Sequence, residues 1–275
     1  MQRVELLETD DFIDETLGKP LQVVYRDENY VAVFKPAGLI VHRSQSTQSH
    51  EPVLLQCLRD QLQSRVYPVH RLDRPTAGLI LFGLNGKAAA KMVDLFTHRE
   101  VSKYYQALVC GLTPDSFVVD QALGAMAEDD WDKSNHVEKS TQDALTNFVT
   151  LGRFQVSIDG PNAEPAKCSL LEIQPMTGRT HQIRRHLKHI GHRVIGDHRH
   201  GDETYNAMVF GMTGVSRMLL TSMRLDFRHP YSGELHSIVV GRGSEFDRVI
   251  ATSELRIYST TIPTSFFLGH GMSKP

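Results

Sequence analysis

Residues 70–78 read His70-Arg-Leu-Asp-Arg-Pro-Thr-Ala-Gly78, and this stretch decides how the rest of the chain is interpreted. A proline and a glycine in it favour a sharp turn of the backbone before the apolar run at 79–84. Asp73 lies between Arg71 and Arg74, and adjacent cations should hold the pKa of its carboxyl below the ordinary value of about 3.9. An ionised carboxylate held by fixed charges can act as a nucleophile or as an acceptor. Taken alone, the tetrapeptide Arg-Leu-Asp-Arg favours the simpler alternative, an ion-paired Asp that fixes a turn.

The pattern around this loop predicts strands that are interrupted irregularly by helices. Two β-rich runs at 21–25 and 30–34 predict a hairpin. Apolar residues at helical spacing predict three helices, at 52–64, directly after Asn85-Gly86, and at 180–190 with Gly191 as the stop. Further strands are predicted at 66–69, 79–84, 103–109, 141–151, 166–173, 218–227 and 237–240. This mixture favours an α+β fold, with a mixed, mainly antiparallel central sheet flanked by helices and loops, over a doubly wound fold.

The same pass along the chain predicts three regions. Residues 1–20 are acidic and weakly patterned, and they are interpreted as an N-terminal extension. Residues 21–250 carry the strands and helices and are interpreted as one folded domain. Residues 251–275 show no strong period and form a C-terminal tail, while the polar, acidic stretch 128–138 is expected to be a surface loop.

Composition excludes several classes of protein. The chain has 275 residues, 40% hydrophobic and 23% charged, which argues against global disorder. Its net charge of −2 disfavours a protein that coats nucleic acid non-specifically, although the sum hides local sign. Three distant cysteines without a CxxC pair disfavour a disulfide framework or a zinc ribbon and fit a reducing compartment.

Membrane and export signals are not found in the sequence. The longest apolar run, 77–84, is too short for a membrane span. Residues 1–14 lack the basic and apolar regions of a signal peptide. We therefore expect a cytoplasmic protein.

Positive charge is concentrated in residues 179–200. This window holds six Arg or Lys side chains against one Asp, a net charge of +5, in a chain that is slightly acidic as a whole. Such a patch suits a phosphate backbone, since basic side chains release condensed counterions. A solvated basic helix face is one alternative. A metal site is another, because His186, His189 and His192 are spaced by three, but the surrounding cations would repel a metal ion.

A third segment, Lys103-Tyr-Tyr105-Gln-Ala107, places two adjacent tyrosines on opposite faces of a predicted strand. A tyrosine in a strand usually serves packing. Beside an exposed base, its ring could stack and its hydroxyl could transfer a proton. The residues alone leave both interpretations open.

Taken together, these segments resemble the RluA-type pseudouridine synthase family. The matching residues are His70 to Gly78, Lys103 to Ala107, and Thr177-Gly-Arg-Thr-His-Gln-Ile-Arg184, in the order of the family. Two flanking segments, Val33-Phe-Lys-Pro-Ala-Gly38 and Ile195-Gly-Asp197, also match. Within the family the resemblance is strongest to the tRNA pseudouridine synthase C subfamily. It covers roughly residues 21 to 245 and implies the pseudouridine synthase catalytic fold, with a central active-site cleft.

The resemblance also implies a reaction, in which uracil is detached from its ribose, rotated and rejoined through carbon C5. It makes Asp73 the nucleophile, with three routes open: attack at the sugar C1′, addition to the base at C6, or abstraction of a sugar proton. Arg184 matches the residue that pairs with this carboxylate. Tyr105 matches the aromatic residue that packs against the base and serves the late proton transfer from C5. The reaction has no redox change and no net hydrolysis, so no cofactor and no metal is implied.

The implied substrate is a structured RNA whose target uridine must be flipped out of its stem. Arg71 matches an arginine that can fill the space left by the flipped base. The residues expected to bind RNA are Arg71, Arg74, Arg179, His181, Arg185 and Lys188. The subfamily likeness implies that the protein acts on tRNA, at position 65 of the T-arm stem. We expect a monomer without a protein partner. Ribosomal RNA is the alternative substrate, and a non-catalytic RNA-binding module is the alternative of another class.

Overall fold

The computed structural model describes residues 20–43, 51–124, 141–156, 166–252 and 255–257. Eleven strands of this described part form one sheet: β1 (Val23–Arg26), β2 (Tyr30–Lys35), β3 (Tyr67–Pro68), β4 (Ala77–Gly83), β5 (Ser102–Cys110), β6 (Ser116–Asp120), β9 (Leu145–Val156), β10 (Ala166–Pro175), β11 (Leu220–Arg228), β12 (Leu235–Val239) and β13 (Leu255–Ile257). Two short strands, β7 (Leu123–Gly124) and β8 (Thr141–Gln142), pair separately. The main path through the sheet is β1-β2-β4-β11-β5-β10-β9-β13.

One parallel pair joins the two halves of this sheet. β4 and β11 run parallel through only two residue pairs, Thr221 with Ala77 and Ser222 with Gly78. The other strand pairs described are antiparallel. The predicted α+β class with a mixed, mainly antiparallel sheet is confirmed.

Five described helices cover the two faces of the sheet: α1 (Leu54–Leu62), α2 (Gly86–Thr97), α3 (Gln182–His189), α4 (Glu203–Thr213) and α5 (Ser244–Ala251). α2 begins where the Asn85 side chain accepts a hydrogen bond from the backbone N–H of Ala88, and α4 begins at the equivalent cap from Asp202. α3 ends at His189, and Gly191, the predicted stop, follows two residues later with a φ of +81°.

The alternation of side chains along the strands separates the core into layers. One face carries Val33, Ile80, Tyr105 and Ile173, which pack with apolar residues of α1 and α3. The opposite face is covered by α2 over β2, β4 and β11, and by α4 and α5 over β5, β9 and β10. The helix that carries Arg184 therefore packs on the same face as Tyr105.

Several predicted elements have different limits in the structure. The predicted strand at 141–151 is two strands, β8 and β9, and the predicted helix at 180–190 begins only at Gln182. The sequence analysis missed β6, α4 and α5. β6 is an edge strand with exposed alternate residues, and α4 buries only Val209 among its residues, so neither shows a clear apolar stripe.

Three predicted regions lie largely outside the described residues. The N-terminal extension is described only at residue 20, and the acidic loop 128–138 is not described. Of the predicted tail, Leu255–Ile257 forms β13, which pairs with the end of β9. The domain limits at residues 20 and 250 stay predictions. No described helix has the length and apolar character needed to cross a bilayer.

Candidate active site

Asp73 sits in the loop between β3 and β4. The backbone N–H of Thr76 donates to the Asp73 carbonyl oxygen at 3.0 Å, which closes the turn predicted from the proline and glycine. Gly78 follows at a φ of +108°, and a Cβ at this position would lie 2.2 Å from the carbonyl oxygen of Ser222 on β11. Only glycine lets β4 approach β11 this closely, so the Asp73 loop is fixed directly at the parallel junction of the sheet.

Lys35 also holds the Asp73 loop in place. Its side chain is fully buried, and its ammonium donates to the carbonyl oxygens of Pro36 and Leu39 at 2.9 Å and of Arg74 at 3.0 Å. Burial lowers the pKa of Lys35 to about 7, although the charge of Asp73 acts in the opposite direction. The sequence motif included Lys35 without assigning it a role. The structure shows that it joins the Asp73 loop to residues 36–39.

Arg184 contacts two carboxylates. Its Nε and Nη2 atoms donate to the two oxygens of Asp197 at 2.7 and 2.9 Å, and Nη1 donates to Asp73 Oδ2 at 2.9 Å. Burial opposes the charge on Arg184, but hydrogen bonds and charge from Asp197 and Asp73 raise its pKa overall. The predicted pairing of Arg184 with Asp73, 111 positions apart, is therefore present in the structure.

Asp197 is the group that orients Arg184. It is 2% exposed, and its Oδ1 also accepts the backbone N–H groups of Arg199 and His200 at 2.9 and 3.0 Å. Burial would raise the pKa of Asp197, but the Arg184 hydrogen bonds and these two N–H groups hold it below the ordinary value. The sequence analysis quoted Asp197 only as the single acid of the basic window and as part of a matching segment.

Asn206 on α4 holds the turn that carries Asp197. Its Oδ1 accepts the N–H of Gly196 at 2.6 Å, and its Nδ2 donates to the Asp197 carbonyl oxygen at 3.3 Å. Sequence reasoning missed this residue, because α4 was not predicted and a lone asparagine carries no signal. The contacts run in order from Asn206 through Asp197 and Arg184 to Asp73.

His181 lies beside the same carboxylate. Its Nε2 is 3.8 Å from Asp73 Oδ2, and its Nδ1 is 3.0 Å from Nε2 of His200. His181 has a φ of +53°, and such left-handed backbone in a non-glycine residue is characteristic of functional sites. Burial lowers the pKa of both rings, that of His200 to about 4, so each is neutral at pH 7. His181 was predicted to bind RNA, whereas the structure places it at the candidate nucleophile.

Tyr105 faces the cleft that contains Asp73. The cleft has a volume of about 660 Å³ and is lined by Asp73, Tyr105, Arg184 and Leu220 among other residues. Burial raises the pKa of Tyr105, and the charge of Asp73 raises it further, so the phenol keeps its proton at neutral pH. The adjacent Tyr104 packs under the Arg224 guanidinium, 3.7 Å from the ring centroid. The structure thus assigns Tyr105 to the cleft.

Gln182 shapes the loop from Thr177 to the start of α3. Its Oε1 accepts from Thr177 Oγ1 at 2.7 Å and from the N–H of Arg179 at 3.0 Å, while its Nε2 donates to the carbonyl oxygen of Leu145 at 3.0 Å. It is 4% exposed, so these partners satisfy a buried amide. Gln182, which belongs to the same motif as Arg184, therefore fixes the loop that leads into α3.

Four of the residues predicted to bind RNA differ in their surroundings: Arg71, Arg179, Arg185 and Lys188. Arg71 and Arg179 line the cleft, and Lys188 is exposed on α3. Arg185 instead donates to the carbonyl oxygen of Gly124 at 3.0 Å, and Arg179 also donates to that of Asp143 at 3.1 Å. These two arginines thus also hold the backbone at the β7–β8 pair.

Arg74 is directed away from Asp73. Its guanidinium donates to Glu51 at 3.0 Å and to the carbonyl oxygen of Gly38 at 3.1 Å. The sequence predicted that Arg71 and Arg74 both hold the charge of the Asp73 carboxylate. For Arg74 this is wrong, because its guanidinium bonds Glu51 and Gly38 instead. The cation bonded to Asp73 comes from Arg184 instead, because the turn carries the Arg74 side chain toward residues 38 and 51.

The histidines considered as metal ligands have other partners. His186 is buried, with Nδ1 3.0 Å from Thr146 Oγ1 and Nε2 3.0 Å from the Gln121 carbonyl oxygen. His192 Nδ1 lies 2.9 Å from the carbonyl oxygen of Cys110. Among the residues with described positions, no three His, Cys, Asp or Glu side chains are grouped as metal ligands.

Comparisons with known proteins agree with this geometry. The chain is 39% identical over 212 residues to tRNA pseudouridine synthase C of Vibrio vulnificus, covering 77% of this chain and 86% of that protein. It is 37% identical over 214 residues to the protein of the same name from Vibrio parahaemolyticus, covering 78% and 87%. The structure of human RNA pseudouridylate synthase domain containing 4 covers 86% of this chain and 94% of its own, with a TM-score of 0.64 and 23% identity, and so shares the fold.

A family model described as RNA pseudouridylate synthase matches residues 29–189, more than half of the chain. The match includes the Asp73 loop, Tyr105 and Arg184. The predicted resemblance and the predicted pseudouridine synthase fold are confirmed. The chain belongs to the RNA pseudouridylate synthase family.

Proposed function

We propose that this protein converts a uridine of tRNA to pseudouridine, with Asp73 as the nucleophile. The observation that carries the proposal is the meeting of Asp73, Tyr105 and Arg184 at one cleft, with Asp73 hydrogen-bonded to Arg184. Among the described residues that line this cleft, Asp73 is the only carboxylate. The names of the relatives support tRNA as the substrate.

The roles follow from the chemistry of an isomerisation. The bond between N1 of uracil and C1′ breaks, a bond between C5 and C1′ forms, the proton on C5 leaves and N1 gains a proton. Asp73 supplies the nucleophilic carboxylate, and Arg184 keeps it charged and aimed. Tyr105 packs against the base and takes part in the proton transfer from C5. Because atoms and charge balance within the substrate, the reaction needs no external reductant or water.

The target base must leave its stack before it reaches the cleft. Flipping a stem uridine costs a few kcal/mol, which contacts in the bound state must offset. Arg71 is exposed at the cleft and is proposed to fill the vacated space in the helix. Arg179 and Lys188 offer positive charge to the backbone. The protein is proposed to act as a cytoplasmic monomer; its three free cysteines support a reducing compartment.

The direct test replaces Asp73 by Asn. This change keeps the shape of the side chain and removes its charge. Release of tritium from 5-tritiated uridine in tRNA should fall below detection, while tRNA binding persists. The control is Asp60→Asn, which removes a carboxylate that is 64% exposed on α1. Asp60→Asn should keep wild-type turnover, and retained turnover in Asp73→Asn would refute the nucleophile assignment.

The RNA target has its own test. We propose position 65 in the T-arm stem, as in the subfamily that the motifs resemble. Pseudouridine mapping of tRNA and ribosomal RNA from cells that lack this protein should show the loss of this tRNA site alone. Loss of a ribosomal site would instead assign the alternative substrate. Unchanged maps, together with intact tRNA binding, would favour a non-catalytic RNA-binding module.

A further inference from the structure

The lining of the cleft is not limited to the residues around Asp73 and Tyr105. It also includes residues from 96–103, between the end of α2 and the start of β5, and residues 176–179, and we name this part of the lining the distal pocket. The α2 end contributes Phe96 and Thr97, and β5 contributes Lys103.

Positive charge in the cleft exceeds negative charge five to one. The cations that line it are Arg71, Arg99, Lys103, Arg179 and Arg184. Asp73, the only carboxylate among the described lining residues, is already bonded to Arg184. In the described part of the chain, no Asp or Glu lies within ion-pair distance of Arg99 or Lys103. The distal pocket therefore holds positive charge that the described residues do not neutralise.

Lys103 is the more enclosed of these two cations. Its ammonium donates to the carbonyl oxygen of Thr177 at 3.2 Å, so it spans from β5 to the loop before α3. Burial lowers the pKa of Lys103 to about 8, and the charge of Arg99 contributes to this shift. A neutral carbonyl cannot compensate for the two nearby charges, whereas an anion between them would.

Arg99 reaches the pocket from an unusual backbone conformation. Its φ is +61°, a left-handed conformation that L-residues other than glycine, asparagine and aspartate rarely adopt. The turn is fixed by the N–H of Arg99 bonding to Phe96 O at 3.2 Å and the N–H of Glu100 bonding to Leu95 O at 2.9 Å. This backbone places an exposed arginine on the cleft at the end of α2. A left-handed residue at this place is a common way to end a helix, and Gln63 has the same conformation after α1.

We infer that Arg99 and Lys103 form a phosphate site that binds the RNA backbone at a nucleotide flanking the flipped uridine. The inference rests on the proposed function and adds a substrate contact to it. A phosphodiester carries one negative charge and two free oxygens, which match a guanidinium fork and an ammonium group. Because this contact is the same before and during the reaction, it strengthens binding without accelerating the chemical step.

The salt dependence of tRNA binding tests this site. Arg99→Met and Lys103→Met should each lower the slope of log affinity against log salt by roughly one unit, since each removes a phosphate contact. Each variant should raise KM several-fold and leave the single-turnover rate within about twofold of wild type. Lys103→Arg, which keeps the charge, should restore most of the slope.

Matched controls remove the same residue types outside the cleft. Lys87→Met at the start of α2 and Arg65→Met before β3 replace exposed side chains that do not line the cleft. Their salt slopes should equal that of wild type. The inference is overturned if Arg99→Met and Lys103→Met keep the wild-type salt slope. It is also overturned if Lys103→Arg lowers the slope as much as Lys103→Met does.

Phosphate ethylation interference locates the contact. Wild-type protein should exclude tRNA ethylated at one or two phosphates beside the target uridine, and Lys103→Met should accept them. An identical exclusion pattern in both proteins contradicts the inference. Pseudouridine formation by the wild type is measured on the same tRNA. If the wild type forms no pseudouridine but the variants have altered salt slopes, the proposed function is refuted and the phosphate site stands. If the wild type forms pseudouridine but the variants have unaltered slopes, the phosphate site is refuted and the proposed function stands.

Discussion

Asp197 accepts two parallel hydrogen bonds from Arg184, at 2.7 and 2.9 Å, and this pairing leaves Nη1 of the guanidinium free to face Asp73. Both side chains of the pair are almost fully buried. The orientation of the candidate nucleophile's partner is therefore fixed by a residue that does not itself line the cleft.

Asp197→Asn should weaken both catalysis and stability. The change removes the charge that balances Arg184, and breaking a buried ion pair costs about 3 kcal/mol or more. We expect the single-turnover rate to fall at least about 100-fold, with the free energy of unfolding in urea lowered. The control is Asp226→Asn, whose partly exposed pair with Arg224 should contribute less than about 1 kcal/mol. A rate equal to wild type would contradict the orienting role of Asp197.

Asn206→Ala should reduce turnover through Asp197. The variant leaves the Gly196 N–H and the Asp197 carbonyl without their side-chain partner, at a cost of about 1–3 kcal/mol. We expect kcat to fall about tenfold while KM stays within about twofold, because the substrate is not contacted. Phe210→Ala, an exposed position on the same helix, should leave kcat unchanged. A KM effect alone would place Asn206 in substrate binding instead.

Tyr105→Phe separates packing from proton transfer. The ring remains and only the hydroxyl is lost, so substrate affinity should be near that of wild type. If the hydroxyl serves the transfer from C5, kcat should fall about 10²-fold or more. Tyr104→Phe is the matched control, since its ring lies against Arg224. Equal activities of the two variants would show that Tyr105 acts only by packing.

Stability should fall as the pH is lowered from about 6.5 to about 4. Burial lowers the pKa of His70 to about 3 and that of His200 to about 4, so the folded protein keeps both rings neutral while the unfolded chain binds protons from about pH 6.5 downward. The stability that His70 and His200 contribute as neutral rings is complete above about pH 6.5 and is lost progressively as the pH falls below it. Urea unfolding of His200→Gln should show a shallower decline over this window than wild type. Phe210→Ala, an exposed substitution that changes no titratable group, should keep the wild-type slope.

Two glycine substitutions should change stability in opposite directions. In Gly78→Ala the added methyl lies 2.2 Å from the Ser222 carbonyl oxygen, at a φ of +108°, and we expect a loss of about 3 kcal/mol or more. Gly211 lies inside α4, and a Cβ there meets no atom within 4 Å. Gly211→Ala should therefore stabilise by about 0.5–1 kcal/mol. Urea midpoints measure both, and a neutral Gly78→Ala would mean that the β4–β11 junction can widen.

The residues closest to the reaction could be predicted from the sequence because they occur in contiguous motifs. Asp73, Tyr105 and Arg184 lie on three such segments, and the structure brings all three to one cleft. The hairpin and the strand of Tyr105 followed from alternation of apolar residues. The mainly antiparallel sheet followed from the irregular order of helices and strands.

The supporting residues could not be predicted in this way. Asn206 acts from a helix without a clear apolar stripe, and its partners are the backbone of residues 196 and 197. The direction of the Arg74 side chain depends on Glu51, which is 23 positions away. Lys35 was visible in a motif, yet its role depends on three carbonyl oxygens that only the folded chain assembles.

The two-residue parallel junction between β4 and β11 affects when activity can arise during translation. The strands on the β4 side of it, β1 to β4, come from residues 23–83, whereas β11 starts only at Leu220. A nascent chain that has left the ribosome only as far as Arg184 therefore contains the three candidate catalytic residues, Asp73, Tyr105 and Arg184, but lacks the central strand β11. Pseudouridine formation must wait until β11 has been synthesised and inserted between β4 and β5.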